Sequence, residues 1–464
     1  MSFTKKIFFS LALALFFNFL PINLSLAVYD PSSVPNNSFG IHIANIQDLE
    51  DAARLVNSQG GDWGYVTLVI TKGDRDVAKW QGVLNKMRVL HLIPIFRLAT
   101  RFDGSNWEKP ALGDIDGWVS FLNSLNWVIK NRYLVIGNEV NSAKEWGGEV
   151  NPEAYATYVK EFSAKLKKAS LDFFIMAAGL DASIPSSRIS LNEAAFIKRV
   201  LMDKPDLFEN LDGWASHSYP NPNFSGSENG RGKGSVRTFE WELWYLKTLG
   251  VKKTLPVFIT ETGWSHRIKQ SRQTWNLLKK SALFPKFETA FNNAWNNKQI
   301  AAVTPFILNY EQPPYDIYSW KNDGAYNSLY GQMQNFPKKA GEPIQDEKLA
   351  VTKIFVPAIG FVNSNFTGII IFINTGQSII ASANLNLLDG NGQALEIQRA
   401  SFTTLEPGAS GFIFFHDQTP DKKGLYSKTV ILTKNKTVLS SEIEYKRLAI
   451  AKNLTFGSFL WHPD

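Results

Sequence analysis

Two glutamates end short apolar stretches in separate parts of the chain. Glu139 closes the stretch from Tyr133 to Glu139, and Glu261 closes the stretch from Pro256 to Glu261. Cleavage of an acetal such as a glycosidic bond needs an acid that protonates the departing oxygen and a carboxylate at the anomeric carbon. If both stretches are strands that end at one rim of a barrel, these two side chains can supply both groups.

The elements that must position these glutamates are predicted to alternate between strands and helices. From Phe39 to Asn309, short apolar stretches alternate with longer amphipathic ones, which is typical of repeated βα units. We predict eight strands: Phe39 to Ile43, Trp63 to Ile70, Leu92 to Arg97, Tyr133 to Gly137, Phe173 to Ala177, Gly213 to Ser216, Val257 to Thr260 and Ala302 to Leu308. This count predicts a (β/α)8 TIM barrel with its site at the carboxyl ends of the strands. Glu139 then follows strand four and Glu261 follows strand seven.

The composition changes after Ser328. Residues 337–347 carry Pro, Gly and charged residues and are predicted to be a linker. Beyond them come short β-branched stretches separated by turn signals such as the one from Asp389 to Gly392, which favour a small all-β immunoglobulin-like sandwich. The predicted divisions are therefore a signal peptide at 1–27, the barrel at 28–336, the linker at 337–347 and the C-terminal sandwich at 348–464.

The N-terminus has the layout of a secretory signal. Two lysines precede an apolar stretch from Ile7 to Leu20, and small residues lead to a predicted cleavage site after Ala27. An uncleaved anchor is the alternative, and no later stretch is long and apolar enough to span a membrane. We expect a secreted or envelope-associated protein.

The overall composition excludes several classes of function. The net charge is +7, and the excess is spread along the chain instead of forming a Lys/Arg block, so no nucleic-acid partner is expected. The chain has no cysteine, which excludes disulfides, thiol chemistry and cysteine-type zinc sites. Its six histidines show no metal-ligand spacing. We therefore expect neither a metal nor a cofactor, and a monomer.

The motifs around the two glutamates resemble those of clan A glycoside hydrolases. Asn138 and Glu139 follow strand four, His217 and Tyr219 follow strand six, and Glu261 is followed by Thr, Gly and Trp after strand seven. Within the clan, residues 36–321 look nearest to family 39 and family 5 relatives, which include bacterial exopolysaccharide hydrolases. The resemblance implies a retaining (β/α)8 enzyme in which Glu139 is the acid/base and Glu261 the nucleophile. It further implies that Asn138 binds the sugar 2-hydroxyl and that the residue at Tyr219 supports the nucleophile.

Four further residues are candidates for substrate binding. Arg97 ends strand three within an apolar stretch, where an unpaired charge is costly, and His42 ends strand one. Either could contact substrate or the nucleophile, and the alternative for Arg97 is a structural ion pair. Trp264 and Trp320 follow strands seven and eight, where an aromatic ring can stack on the C–H face of a sugar.

The sequence thus predicts a secreted retaining β-glycosidase of poly- or oligosaccharides. A non-catalytic glycan-binding protein on the same barrel and a transglycosylase of envelope glycans are the alternatives. Glu311, in the segment after strand eight, adds a third carboxylate near the rim and is a rival for one catalytic role. The C-terminal sandwich could bind carbohydrate or serve only as a structural module.

Overall fold

The computed structural model describes residues 28–268 and 277–451. Within the first range and the start of the second, eight short strands run parallel to one another, with helices between them. The strands are β1 Gly40–His42, β2 Gly64–Thr71, β3 Leu92–Ala99, β4 Arg132–Ile136, β5 Phe173–Ala177, β6 Trp214–His217, β7 Val257–Glu261 and β8 Ile300–Val303. The helices are α1 Leu49–Val56, α2 Val77–Val89, α3 Ile115–Ser124, α4 Pro152–Ala169, α5 Glu193–Asp203, α6 Thr238–Thr248, α7 Leu283–Thr289 and α8 Ser328–Gln334.

The strands close into a barrel in sequence order. One sheet runs from β1 to β5 and another from β6 to β8, and every pairing within them is parallel. Single bridges complete the circle: Met176 pairs with Gly213 between β5 and β6, and Phe39 pairs with Val303 between β8 and β1. The predicted (β/α)8 TIM barrel is confirmed.

Local sequence signals explain where two of the barrel helices begin. Asn151 accepts a hydrogen bond from Ala154 N–H at 2.9 Å, and Pro152 occupies the first position of α4. Asp76 caps α2 in the same way through Lys79 N–H. Helix α3 begins at Ile115 and ends at Ser124.

An aromatic cluster fills the barrel interior. The rings of Tyr65, Tyr133, Phe174 and Phe258 come from four different strands and pack with centroids 4.9 to 6.2 Å apart. All four residues are buried. Edge-to-face packing of this kind makes a dry, rigid core for the strand ends that carry the polar residues.

Strand β8 is shorter than predicted and shifted toward its N-terminal end. The sequence pattern predicted Ala302 to Leu308, whereas the strand ends at Val303. Thr304 N–H and Oγ1 donate to the carbonyls of Ile259 and Thr260 on β7, at 2.8 and 2.9 Å. The following residues leave the ladder and cross the rim toward β1.

The C-terminal part is a two-sheet β-sandwich. One sheet contains Leu349–Phe355, Asn365–Asn374, Ser410–Gln418 and Ile397–Ala400, and the other contains Ile359–Phe361, Ile443–Ile450, Gly424–Lys434, Leu385–Asp389 and Ala394–Leu395. Before the sandwich, Lys321–Asn322 pairs with Ala325–Tyr326. Within the C-terminal part, Ile380–Ala381 pairs with Thr404–Leu405, and Thr437–Val438 pairs with Gly424–Lys434. Except for the parallel pairing of Ile359–Phe361 with Ile443–Ile450, neighbouring strands in this part are antiparallel. A separate apolar core lies between the two sheets.

The segment between the barrel and the sandwich is held against the barrel. Lys338 Nζ donates to the carbonyls of Met333 and Phe336, at 2.7 and 2.8 Å. Lys130 forms an ion pair with Asp346 at 2.9 Å. Among the described helices, none has the length and apolarity that crossing a membrane requires. The predicted signal peptide at 1–27 lies outside the described residues.

Candidate active site

A cleft of about 440 Å³ opens at the carboxyl ends of the barrel strands. Both predicted catalytic glutamates line it, together with five of the seven predicted substrate-binding residues. The polar and aromatic lining residues are His42, Thr71, Arg97, Trp107, Asn138, Glu139, Glu145, Asp181, His217, Tyr219, Asn221, Phe224, Glu261, Phe306, Tyr310, Tyr315 and Tyr318. The barrel therefore brings side chains from the ends of strands one, two, three, four, six and seven to one place, as its topology requires.

Glu139 stands on a strained turn directly after β4. Its backbone has a φ of +37°, in the left-handed region that non-glycine residues rarely adopt, and Gly137 before it has a φ of +92°. A hydrogen bond from Glu139 N–H to the carbonyl of Gly179, 2.9 Å long, holds this conformation. The surrounding structure thus maintains a costly backbone geometry that aims one carboxyl into the cleft.

Glu261 is the last residue of β7 and is surrounded by donors and positive charge. Tyr219 OH donates to Glu261 Oε2 at 3.1 Å. Arg97 Nη1 lies 3.8 Å from Glu261 Oε1, and His217 Nδ1 lies 3.8 Å from Oε2. Burial alone would raise the pKa of Glu261, but the charges of His217 and Arg97 and the Tyr219 hydrogen bond outweigh it. The pKa of Glu261 is therefore held below its ordinary value, and the group is ionised.

His217 lies between the two glutamates. Its Nδ1 is 3.0 Å from Glu139 Oε1, at hydrogen-bonding distance. Burial alone would lower the pKa of His217, but the charge of Glu261 and the contact with Glu139 outweigh it and raise that pKa. The neighbouring Gly179 leaves room for the ring, because a Cβ there would lie 2.3 Å from His217 Cδ2.

The two carboxyl groups lie close together, and their pKa values are displaced in opposite directions. One oxygen of Glu139, one of Glu261 and a ring nitrogen of His217 all lie within 4.8 Å of one another. Burial raises the pKa of Glu139 above its ordinary value, against the opposing effect of His217. The pKa of Glu139 is thus displaced upward and that of Glu261 downward, which are the directions that a proton donor and an ionised nucleophile require.

Glu139, His217 and Glu261 also have the composition of a small metal site. Their three donor atoms are close enough to share one cation. However, the Arg97 guanidinium already places a positive charge beside Glu261. The opposite pKa displacements of the two glutamates favour proton transfer as the role of this cluster.

Asn138 and His42 present polar atoms without protein partners. Asn138 Oδ1 is buried and unpaired, and so are both ring nitrogens of His42, whose side chain is 2% exposed. Burial lowers the pKa of His42 to about 3, so the imidazole is neutral. Buried polar atoms that lack partners are costly, and a bound hydroxylated ligand would provide the missing hydrogen bonds.

The prediction that Trp264 and Trp320 stack on the substrate is wrong. Both side chains are 2% exposed and neither lines the cleft. Trp264 and Trp320 pack instead against Phe287 of α7, with ring centroids 4.9 and 5.4 Å away. Gly263, at a φ of +133°, precedes Trp264 where the chain turns away from the cleft. Their rings are therefore part of the barrel core.

Other aromatic residues line the cleft in their place. Trp107, from the loop after β3, and the residues Tyr310 and Tyr315, from the loop after β8, border the cleft, and Tyr315 is 39% exposed. Tyr310 and Tyr315 pack edge to face at 5.6 Å. The three tyrosines at positions 310, 315 and 318 were a sequence signal for this wall.

The predicted rival carboxylate, Glu311, does not line the cleft. Its side chain is exposed and accepts a hydrogen bond from Gly324 N–H at 3.2 Å. Two other acids that the sequence analysis did not single out, Glu145 and Asp181, do line it. Burial raises the pKa of Glu145 to about 7.

Comparisons with known proteins do not identify a family for this chain. No protein-family model matches the chain, and no curated protein matches it. Similar solved structures include an endo-β-1,3-glucanase of glycoside hydrolase family 128 from Pseudomonas viridiflava, with 12% identity and a TM-score of 0.42 over 65% of this chain and 98% of that one. A β-mannanase from Thermomonospora fusca has 13% identity and a TM-score of 0.40 over 64% of this chain and 87% of that one.

A glucosidase from Croceicoccus marinus spans both parts of the chain. It has 8% identity and a TM-score of 0.49 over 90% of this chain and 94% of that one. These solved neighbours are glycoside hydrolases, and none of them identifies a family for this chain at such low identity. Function is therefore inferred from the site.

Proposed function

We propose that this protein is a glycoside hydrolase that cleaves β-glycosidic bonds of a poly- or oligosaccharide with retention of configuration. The observation that carries the proposal is the pair Glu139 and Glu261, with oxygens within 4.8 Å of each other and opposite pKa displacements. Retaining enzymes hold their two carboxyl groups about 5 to 5.5 Å apart, whereas inverting enzymes need about 6.5 to 9.5 Å to admit a water molecule.

In the first step, Glu261 acts as the nucleophile. Its ionised carboxylate attacks the anomeric carbon while Glu139 gives its proton to the departing glycosidic oxygen. The bond from carbon to the leaving oxygen breaks, and an ester between the sugar and Glu261 forms. Tyr219 and Arg97 stabilise the charge on Glu261 before attack, which keeps the nucleophile ionised within a buried site.

In the second step, Glu139 acts as the base. The negative charge of Glu261 contributes to the raised pKa of Glu139, and this contribution disappears once Glu261 is esterified. The Glu139 pKa then falls, so the carboxylate can take a proton from water as the water attacks the anomeric carbon. The sugar leaves with its original configuration, and both glutamates return to their starting states.

Trapping of the intermediate tests these assignments. A 2-deoxy-2-fluoro glycoside with an activated leaving group should leave a covalent sugar on Glu261, detected by mass spectrometry of peptides. Nuclear magnetic resonance of the first product formed should show the β-anomer. Glu311→Gln is a matched control, since that carboxylate lies outside the cleft and its loss should leave labelling unchanged. Labelling of a residue other than Glu261, or an α-anomer as first product, would refute the mechanism.

Two related functions make different predictions. A non-catalytic glycan-binding protein would bind oligosaccharides in the same cleft, and neither the wild type nor Glu139→Gln would form products. A transglycosylase would use the same first step and pass the sugar from Glu261 to a second sugar hydroxyl, so its products would be longer than its substrate. Product sizes from β-glucan, β-mannan, xylan and bacterial exopolysaccharides distinguish the three.

We further propose that the protein is exported and acts as a monomer on carbohydrate outside the cytoplasm. Support comes from the sequence of residues 1–27, with its lysine pair, apolar stretch and small residues before Val28. Mass spectrometry of the N-terminal peptide after expression in a bacterium should find a mature chain that begins at Val28. A chain that keeps residues 1–27 and stays in the cytoplasm would contradict export.

A further inference from the structure

Asp181 lies in the part of the cleft wall that carries the proposed acid/base. It follows β5, which pairs with β4, and its side chain lines the cleft together with Glu139. The segments after these two strands are joined directly, because Glu139 N–H donates to the carbonyl of Gly179, two residues before Asp181. The mechanism above gives the Asp181 carboxylate no role.

A buried side chain fixes the backbone of Asp181. Asn141, two residues after Glu139, is fully buried. Its Oδ1 accepts a hydrogen bond from Asp181 N–H at 3.1 Å, and its Nδ2 donates to the Asp181 carbonyl at 2.9 Å. Nδ2 also donates to the carbonyl of Leu191 at 3.1 Å. The segments after β4 and β5 thus form one wall in which Asp181 keeps its place relative to Glu139.

One carboxylate oxygen of Asp181 is fully used within the protein, and the other is not. Oδ1 accepts hydrogen bonds from Ser183 N–H at 2.8 Å, from Ser183 Oγ at 2.8 Å and from Ile184 N–H at 3.1 Å. Within residues 28–268 and 277–451, no group donates to Oδ2 and none forms an ion pair with Asp181. Since each carboxylate oxygen can accept hydrogen bonds, Oδ2 is free to take a donor from a ligand.

The positive charge of the cleft is placed elsewhere. Among the described residues that line it, Arg97 is the one arginine or lysine, and its Nη1 lies 3.8 Å from Glu261 Oε1. His217 lies between Glu139 and Glu261. A partly buried carboxylate without a countercharge is costly, and hydroxyl donors of a bound ligand would offset this cost.

The direction of attack places the leaving sugar beside Asp181. In the proposed first step, Glu261 attacks the anomeric carbon on one side of the scissile bond, and Glu139 protonates the departing oxygen on the other. The leaving sugar therefore extends away from Glu261 toward the wall that carries Glu139 and Asp181.

We propose that Asp181 is a specificity-determining residue whose Oδ2 accepts a hydrogen bond from a hydroxyl group of the leaving sugar. This inference rests on the proposed function. It narrows the substrate class, because the group released must itself be a sugar with a free hydroxyl, as in an oligo- or polysaccharide, and a small apolar leaving group would gain nothing from Asp181. Hydrogen bonds to a charged group are the stronger ones, so the selection should be measurable.

The kinetic test compares two leaving groups. The probes are a β-linked oligosaccharide that the wild-type protein hydrolyses and an activated aryl β-glycoside of the same sugar, whose leaving group has no sugar hydroxyl. Asp181→Asn keeps an oxygen for the three donors at Oδ1, which forces its NH2 group into the place of Oδ2. It should lower kcat/KM by about 10- to 100-fold on the oligosaccharide and by less than about 3-fold on the aryl glycoside.

Asp103→Asn is the matched control. Asp103 Oδ1 likewise accepts hydrogen bonds from the N–H groups of Ser105 and Asn106, both at 2.7 Å. Its side chain is exposed and does not line the cleft. The same chemical change at this position should leave kcat/KM unaltered on both probes.

A second measurement does not depend on turnover. In Glu261→Gln protein, calorimetric titration with the same oligosaccharide should give a Kd about 10-fold or more higher once Asp181→Asn is added. Equal losses on both probes, no loss on the oligosaccharide, or an unchanged Kd would overturn the proposal. If the wild-type protein hydrolyses no glycan, the proposed function fails. Titration with oligosaccharides of β-glucan, β-mannan and xylan then decides the role of Asp181, and affinity that is independent of Asp181, or no binding at all, would overturn it.

Discussion

Gly179 lies so close to the His217 ring that a Cβ at position 179 would sit 2.3 Å from Cδ2 and 2.6 Å from Nε2. Gly179 also supplies the carbonyl that holds Glu139 N–H. One glycine after β5 therefore positions both the imidazole and the proposed acid/base. Its φ is not in the left-handed region, so the requirement for glycine at this site is one of space.

Gly179→Ala should displace His217 and reduce kcat/KM by about 100-fold, because small misplacements of a catalytic group have large effects. Steady-state kinetics, with circular dichroism to verify folding, provides the measurement. Gly82→Ala is the matched control: its Cβ meets open space on α2, so activity should not change and stability should rise by up to about 1 kcal/mol. Full activity of a folded Gly179→Ala variant would show that His217 tolerates displacement.

Tyr219→Phe should raise the pKa of Glu261, because it removes the hydroxyl that donates to Oε2. The acidic limb of the kcat/KM profile should move upward by about one pH unit, and kcat/KM should fall about 10-fold. Tyr245→Phe removes a hydroxyl that bonds the Ala194 carbonyl at 3.1 Å outside the cleft, and it should leave the profile unchanged. An unmoved acidic limb in Tyr219→Phe would mean that Glu261 does not set it.

Sequence patterns could predict that Glu139 and Glu261 lie at one rim, because strand order in a barrel determines where each strand ends. Each apolar stretch needed only to end near its glutamate for the rim to bring Glu139 and Glu261 together. Strand β8 was harder, because apolar residues continue past Val303 as far as Leu308, although the strand ends at Val303 and Pro305 has no N–H for the ladder.

Side-chain direction in the loops could not be predicted in this way. Trp264 is three positions from Glu261, yet it packs on α7, and nothing in the spacing distinguishes the two directions. Trp107 and Glu145 face the cleft because backbone hydrogen bonds join the loops after β3 and β4. Such contacts between segments distant in sequence leave no local periodic signal.

The dependence of activity on pH should be bell-shaped and broad. The proposed mechanism requires ionised Glu261 and protonated Glu139, so activity is lost as pH falls through the first pKa and as pH rises through the second. Because the pKa of Glu261 lies below its ordinary value and that of Glu139 above, the two limbs move apart.

With a dinitrophenyl glycoside, which needs no protonation to leave, Glu139→Gln should keep the acidic limb and lose the alkaline one. The pH profile of the first turnover, measured by stopped flow, provides the check. Persistence of the alkaline limb would assign it to His217, which titrates in the same cluster.

Two buried neutral histidines should make the barrel less stable in mild acid. Burial lowers the pKa of His42 to about 3 and that of His266 to about 4. An unfolded histidine titrates near pH 6.5, so below this pH the unfolded chain binds more protons than the folded one, and the free energy of unfolding decreases as pH falls. Each imidazole contributes about 2 kcal/mol of this loss between about pH 6.5 and about pH 5.

His266→Gln should remove its share, so the difference between urea unfolding at the two pH values should shrink by about 2 kcal/mol. Tryptophan fluorescence reports on the barrel, since every tryptophan except Trp461 precedes residue 337. His91→Gln is the matched control, because that imidazole is half exposed and pairs with Asp62 at the surface. An equal pH dependence in His266→Gln and wild type would show that His266 is protonated in the folded protein, contrary to its burial.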